Sequence, residues 1–164
     1  MKATGIQGVV IKDLEVHIDS RGWLLEVFRI DTVPRLMPAM AYVSCTGKGI
    51  VRGPHEHYFQ TDAFCFLGSF AVQLWDNRKS SPTYRKTIHF RVTKPKLVVV
   101  PPGVAHAYKA LKHNQLVLNL PDQLYKEWGR QGVVDEIRYE DRQEKVLQGK
   151  GFVRLVPNFS GKTY

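Results

Sequence analysis

The feature that most restricts the fold of this chain is a two-residue rhythm in short runs. Ile88, Phe90 and Val92 alternate with His89, Arg91 and Thr93. Phe70, Val72 and Leu74 alternate with Ala71, Gln73 and Trp75, and Phe64 and Phe66 continue the pattern just before Gly68. Successive side chains of a strand point to opposite faces, so this alternation predicts strands with one face on a core. Residues 97–100 and 116–120 read as short buried strands, ended by Pro101-Pro102-Gly103 and by Pro121. Further strands are expected at 9–11, 23–28 and 41–45. Turn signals separate them: Ser20-Arg21-Gly22, Gly47-Lys48-Gly49, Asp76-Asn77-Arg78, Ser80-Ser81-Pro82 and Lys112-His113-Asn114. Helix signals are confined to one turn at 32–37 and a short segment at 124–130 or 140–147. The expectation is an all-β chain, a sandwich or barrel of antiparallel sheet.

Length and charge narrow the class. The chain has 164 residues, the size of one domain, with an irregular tail expected from about 148. Its 43% hydrophobic content is enough for a core. No apolar run approaches the ~20 residues of a membrane helix, and the first ten residues lack a signal peptide's apolar stretch. A cytoplasmic protein without a membrane partner is expected. Two cysteines, Cys45 and Cys65, make no disulfide framework and read as buried packing residues. The formal charge of +9 points to an anionic partner or a solvated basic surface. Much of it falls between Arg78 and Lys96, interleaved with apolar residues as on outward strand faces. No recognition helix, zinc-finger spacing or RNA-binding signature is visible, so nucleic acid is not the expected partner.

Three histidines carry the chemical signal. His55-Glu56-His57 follows Gly49 after five residues, and Asp62 and Gly68 come next. Pro101-Pro102-Gly103-Val104-Ala105-His106 comes later. Residues two apart in a strand share a face, so His55 and His57 can both enter a barrel and His106 can meet them from a neighbouring strand. With Asp62 the three imidazoles form a possible ligand set for a divalent metal. His17, His89 and His113 read as surface residues of strands or turns.

These two patterns resemble the signature motifs of the cupin superfamily, with Asp62 where Glu is usual and Ala110 where Asn is usual. A second resemblance spans residues 8 to 141. Asp19-Ser20-Arg21-Gly22-Trp23 with Glu26, then Gly49-Ile50-Val51-Arg52-Gly53-Pro54-His55, Ser81-Pro82-Thr83-Tyr84 and Val100 to Tyr108 are similar to the ordered motifs of the dTDP-4-dehydrorhamnose 3,5-epimerase family. The resemblance implies a dimeric double-stranded β-helix, or jelly roll, that acts without a cofactor on a nucleotide-linked 4-keto-6-deoxy sugar. It implies His55 as catalytic base and His106 as a second catalytic histidine beside the sugar. Arg52 and Arg21 fall on the diphosphate, and Glu26 and Trp23 near the nucleoside. A strand exchange at the N-terminus would bring Arg21 to the partner's site.

The departures are specific. No lysine lies between Glu56 and Leu67, where the family stabilises an enolate; Thr61 or Asp62 falls nearest. The family's acid, a tyrosine thirteen residues after the second histidine, is replaced by Asn119, a substrate-binding or structural residue; Tyr125 is the next phenol along the chain. The aspartate that orients the base is not recognisable. The leading expectation is an epimerase or keto-isomerase of carbohydrate biosynthesis. The alternatives are a metal-dependent cupin with His55, His57, Asp62 and His106 as ligands, and a sugar-nucleotide binder without catalysis.

Overall fold

The computed structural model describes residues 5–33, 36–124 and 135–139. Tyr125, the expected helices after 124 and the tail from 148 lie outside the described residues. The described chain is all-β. Its strands are β1 (Val10–Asp13), β2 (Val16–Asp19), β3 (Gly22–Leu25), β4 (Tyr42–Thr46), β5 (Val51–Glu56) and β6 (Asp62–Phe66). They continue as β7 (Phe70–Asp76), β8 (Thr87–Val92), β9 (Lys96–Val100), β10 (Val104–Ala110), β11 (Gln115–Asn119) and β12 (Ile137–Arg138). Two five-stranded antiparallel sheets, β1-β9-β6-β11-β4 and β12-β5-β10-β7-β8, face each other, with β2 and β3 paired as a separate hairpin. This is the expected jelly roll. At 32–37 the described residues include a hydrogen-bonded turn that begins earlier, with Val33 N–H donating to the Arg29 carbonyl.

The core between the sheets is aromatic and β-branched. Phe64, Phe66, Phe70 and Tyr108 meet with ring centroids 5.1–6.0 Å apart, and Val72, Val92, Val98, Val104 and Val117 fill the gaps between them. Burial extends further than alternation predicts: all five residues of β6 and all seven of β7 are buried. For β6 the cause is a second cluster. Val33 and Leu36, with Val27, Phe28 and Leu120 beside them, cover Ala63, Cys65, Leu97 and Val99 on the outer face of the first sheet. On the outer face of β7, Trp75 lies against Tyr139.

The two cysteines differ, which corrects the expectation that both are buried. Cys65 is enclosed, donates to the Val27 carbonyl at 3.2 Å, and has its thiol pKa pushed up to about 12 by burial. Cys45 is exposed on edge strand β4, opposite Leu116, because the covering segment stops short of this strand.

One irregularity positions the site. In β5, His55 lies opposite His106 and Arg52 opposite Tyr108, so three steps along β5 match two along β10. Without an extra residue, Arg52 and His55 would point to opposite faces. The bulge at Gly53-Pro54 restores parity and puts both on one side of the sheet. Gly53 has φ +79, and a Cβ there would come within 2.5 Å of the His106 carbonyl oxygen. Only glycine meets both conditions.

Candidate functional site

The inward residues at one end of the barrel converge from both sheets. His55 and His106 come from β5 and β10, and Asp62, Asn119 and Tyr42 from β6, β11 and β4. His57 lies one residue beyond the end of β5, yet its ring stays within the group. Ring centroids are 4.3 Å apart for His55 and His106, 5.7 Å for His55 and His57, and 5.9 Å for His57 and His106. Glu56, between the two β5 histidines, points the other way and bonds Tyr139 and Asn77.

Asp62 is the hub. Its side chain is 2% exposed. Oδ1 accepts from the amides of Gln60 at 2.9 Å and Asn119 at 2.7 Å. Oδ2 lies 3.2 Å from His57 Nε2 and 3.5 Å from His106 Nε2. Asp62 is strand-borne and enclosed. Burial opposes its charge, but His57 and the amide donors hold its pKa down at about 2.

The three imidazoles differ in charge. Burial disfavours the cation at His57, but the Asp62 carboxylate outweighs this and raises the pKa to about 9. At His106 burial dominates and lowers it to about 4. At His55 burial, reinforced by the neighbouring His106, lowers it well below the ordinary value. At neutral pH the site therefore holds one imidazolium, His57, and two neutral imidazoles. His55 is the most accessible of the three, with a side chain 17% exposed.

Four contributors escaped the sequence reading. Glu136 Oε1 lies 3.7 Å from His55 Nδ1, while its Oε2 accepts from Arg138 Nε at 2.6 Å. The Asp135 carbonyl accepts from His57 Nδ1, and its carboxylate accepts the backbone N–H of Tyr58, Phe59 and Gln60 at 2.8–2.9 Å. These donors fix the turn that carries His57. Tyr42, directly opposite Asn119 in register, accepts from the Asn119 amide at 3.0 Å. Gln60 had a signal, its two-residue spacing from Asp62. Asp135 and Glu136 had none, because they adjoin a two-residue strand some 75 residues away in sequence.

Not every expected residue gathers here. Arg52 lies at the rim, donating to Thr46 Oγ1 at 2.9 Å and to the Cys45 carbonyl at 3.2 Å. It thus joins β5 to edge strand β4 of the facing sheet. Arg21 is 88% exposed at the hairpin turn, paired with Asp19. Trp23 is 68% exposed. Glu26 pairs with Arg29 at 3.0 Å and lines a cleft with Lys12, His17 and Phe28. Within a single chain these three are not part of the histidine group. His17, His89 and His113 are exposed, as expected.

Residues 3–146 match the sequence profile of the dTDP-4-dehydrorhamnose 3,5-epimerase family. The chain is 36% identical over 126 residues to the probable low-salt glycan biosynthesis epimerase Agl13 of Haloferax volcanii, covering 73% of this chain and 81% of that one. Among solved structures it resembles NovW, a 4-keto-6-deoxy sugar epimerase from the novobiocin gene cluster of Streptomyces spheroides, with a TM-score of 0.69 and 26% identity. That match covers 76% of this chain and 68% of the other. A dTDP sugar isomerase from Desulfovibrio desulfuricans shares the fold, with a TM-score of 0.74 at 23% identity over 84% of this chain and 87% of the other.

Proposed function

The chain belongs to the dTDP-4-dehydrorhamnose 3,5-epimerase family, and from that premise we propose that it epimerises a dTDP-linked 4-keto-6-deoxyhexose in carbohydrate biosynthesis, with His55 as base. The observation that carries this is the state of His55. It is a neutral imidazole, more open than its neighbours, with the Glu136 carboxylate beside Nδ1. Such an imidazole accepts a proton through Nε2, and the carboxylate steadies the cation that forms.

The ketone at C4 acidifies the hydrogens on C3 and C5. His55 takes one as a proton, and the bonding electrons pass into an enolate on the C4 oxygen. A proton returned to the opposite face inverts the carbon. Tyr42 is the donor we assign. It enters from the opposite sheet, beside the position where the family carries its tyrosine and this chain carries Asn119. Because the Asn119 amide donates to the phenol oxygen, the phenol proton remains available for transfer. His106 lines the sugar site. Arg52 at the rim is suited to the diphosphate.

The second diphosphate contact comes, in this reading, from another copy. The β2-β3 hairpin is almost wholly exposed, including Ile18 at 82%, Trp23 at 68% and Leu24 at 60%. Edge strand β4 and its neighbour β11 leave Val43 and Leu116 open. Adding the hairpin to a partner's sheet buries both surfaces and carries Arg21, Trp23 and Glu26 to the partner's site. Among the described residues no helix is long and apolar enough to cross a membrane. We place the reaction in the cytoplasm, where nucleotide-activated sugars are made.

The test is incubation with a dTDP-4-keto-6-deoxyhexose in heavy water, followed by proton NMR. Deuterium should enter at C3 or C5, and His55→Ala should abolish it. No uptake by the wild type, with dTDP still bound, would leave a binding protein instead.

A further inference from the structure

We propose that His57 is the fixed cation of the site and stabilises the enolate charge that forms when His55 takes its proton. The inference rests on the epimerase reading and adds a residue to that reaction. It starts from the two neighbours of the ring. His57 Nδ1 meets the Asp135 carbonyl, and Nε2 lies 3.2 Å from Asp62 Oδ2. Both neighbours are acceptors, so a ring with a single proton would turn a lone pair on one of them. A proton on each nitrogen satisfies both. Asp62 keeps its charge, because its Oδ1 accepts from the amides of Gln60 at 2.9 Å and Asn119 at 2.7 Å, and such donors favour the carboxylate. The Gln60 amide nitrogen also lies 3.2 Å from His57 Nε2, but its shorter contact is the one to Asp62. His106 shows the opposite arrangement. Its Nδ1 donates to the Val104 carbonyl at 3.2 Å, and its Nε2 has no hydrogen-bond partner and lies farther from Asp62, at 3.5 Å. One proton is enough there.

The position of this charge suits the reaction. Ring centroids put His57 5.7 Å from His55 and 5.9 Å from His106. C4 is bonded to the carbon that loses its proton, so the oxyanion forms one bond beyond the atom that His55 reaches. Among the described residues the other cations of the site are engaged elsewhere. Arg52 is held at the rim by Thr46 and the Cys45 carbonyl, and Arg138 donates to Glu136. The Asn119 amide is shared between Asp62 and Tyr42. The His57 side chain is 8% exposed, so little water screens its charge. Both of its N–H groups are held, so the ring acts through its field and gives up no proton. In the step itself the C–H bond breaks, the proton goes to His55 Nε2 and the electron pair ends on the C4 oxygen. His57 and Asp62 emerge unchanged.

The pH dependence follows from what faces the ring. These groups are Asp62 from β6, His55 from β5, His106 from β10 and Glu136 beside β12. Burial disfavours the His57 cation, but Asp62 outweighs it and raises the pKa to about 9. The charge is therefore present below that value and lost as pH rises through it. Without the Asp62 carboxylate it is lost at lower pH.

The test uses the full chain and a dTDP-4-keto-6-deoxyhexose in heavy water. His57→Gln should slow deuterium entry about 10²–10³-fold through kcat, with KM within about threefold and the wild-type far-ultraviolet circular dichroism retained. Wild-type exchange should fall as pH rises through about 9, and in Asp62→Asn the fall should begin at least about one unit lower. Nitrogen NMR of the wild type reads the ring whether or not the variants fold: one of the six histidines should stay doubly protonated at about pH 8. When the wild type exchanges, three results overturn the proposal and leave the epimerase reading standing. They are wild-type exchange by a folded His57→Gln, an alkaline fall that does not move in Asp62→Asn, and the absence of any imidazolium at that pH. A wild type that exchanges no deuterium overturns both.

Discussion

Two buried aspartates at strand ends of the same barrel face opposite situations. Asp76, the last residue of β7, is fully enclosed and fully satisfied. Arg78 donates from Nε and Nη2, both at 2.8 Å, and from its backbone N–H, while the Ser81 and Thr83 hydroxyls donate at 2.6 Å. Asp62, at the start of β6, has donors on one oxygen and two imidazole nitrogens converging on the other. The sequence separates them by only fourteen residues, and both are carboxylates out of water. The difference lies in what surrounds them. A buried charge whose donors all come from its own neighbourhood closes a loop; one shared between two imidazoles sets which of them carries the extra proton.

Removing each charge should therefore damage different properties. The largest effect is expected from Asp62→Asn. Loss of the carboxylate that holds His57 charged should cut solvent exchange at C3 or C5 by roughly 10²–10³-fold, while the midpoint of thermal unfolding stays level or rises. A steep drop in unfolding temperature with full activity would make Asp62 the structural residue of the two.

Gly53→Ala follows. Its Cβ meets the His106 carbonyl at 2.5 Å and its backbone has φ +79, so the bulge that aims His55 and Arg52 must rearrange. Activity should fall about 10²-fold through misplacement of His55. Wild-type exchange rates in this variant would show that bulge parity does not set the site.

For Asp76→Asn the order of effects reverses. The variant leaves the Arg78 guanidinium without its carboxylate in a partly buried setting. It should lose about 3 kcal/mol of stability, close to 10 °C in melting temperature, and retain activity below that temperature. The pH dependence sharpens the point. Burial disfavours the charge on Asp76, but Arg78, Ser81 and Thr83 outweigh it and hold the carboxyl well below its ordinary value. A depressed carboxyl stabilises the fold above its unfolded pKa of about 4, and that contribution is lost as pH falls through the lower folded value. Acid unfolding of the wild type should be steeper below pH 4 than that of Asp76→Asn, and coincident curves would contradict this.

The smallest effect concerns the hairpin. Arg21→Ala touches neither aspartate and should weaken dTDP binding about tenfold by calorimetry, with no change in melting temperature. Mixing Arg21→Ala chains with His55→Ala chains should restore partial activity if the hairpin serves a partner's site.

Much of the barrel was legible because alternation is a local signal. Residues 88–92, 70–75 and 116–119 fell in strands as predicted, with Leu120 just past the end of β11. The convergence of His55 and His106 followed from strand parity and the Pro-Gly turn. What local pattern could not show was distance covered in space. The cover over Ala63 and Cys65 comes from Val27, Phe28, Val33 and Leu36, so the outer face of β6 gave no sign of being buried. Cys45 lies on an edge strand beyond that cover. Arg52 and His55 are three apart, an odd spacing that reads as opposite faces until the bulge is seen. Glu136 reaches His55 across some 80 residues, and Tyr42 meets Asn119 only through the register of β4 with β11.

The most direct test of the account is a crystal structure of the protein with a dTDP-4-keto-6-deoxyhexose bound. The account predicts His55 Nε2 within hydrogen-bond reach of C3 or C5 on one face of the sugar ring. The Tyr42 hydroxyl should approach the other face, and the C4 oxygen should point toward the His57 imidazolium. A sugar ring that lies outside the histidine group, or one whose C3 and C5 hydrogens both face away from His55, would contradict it.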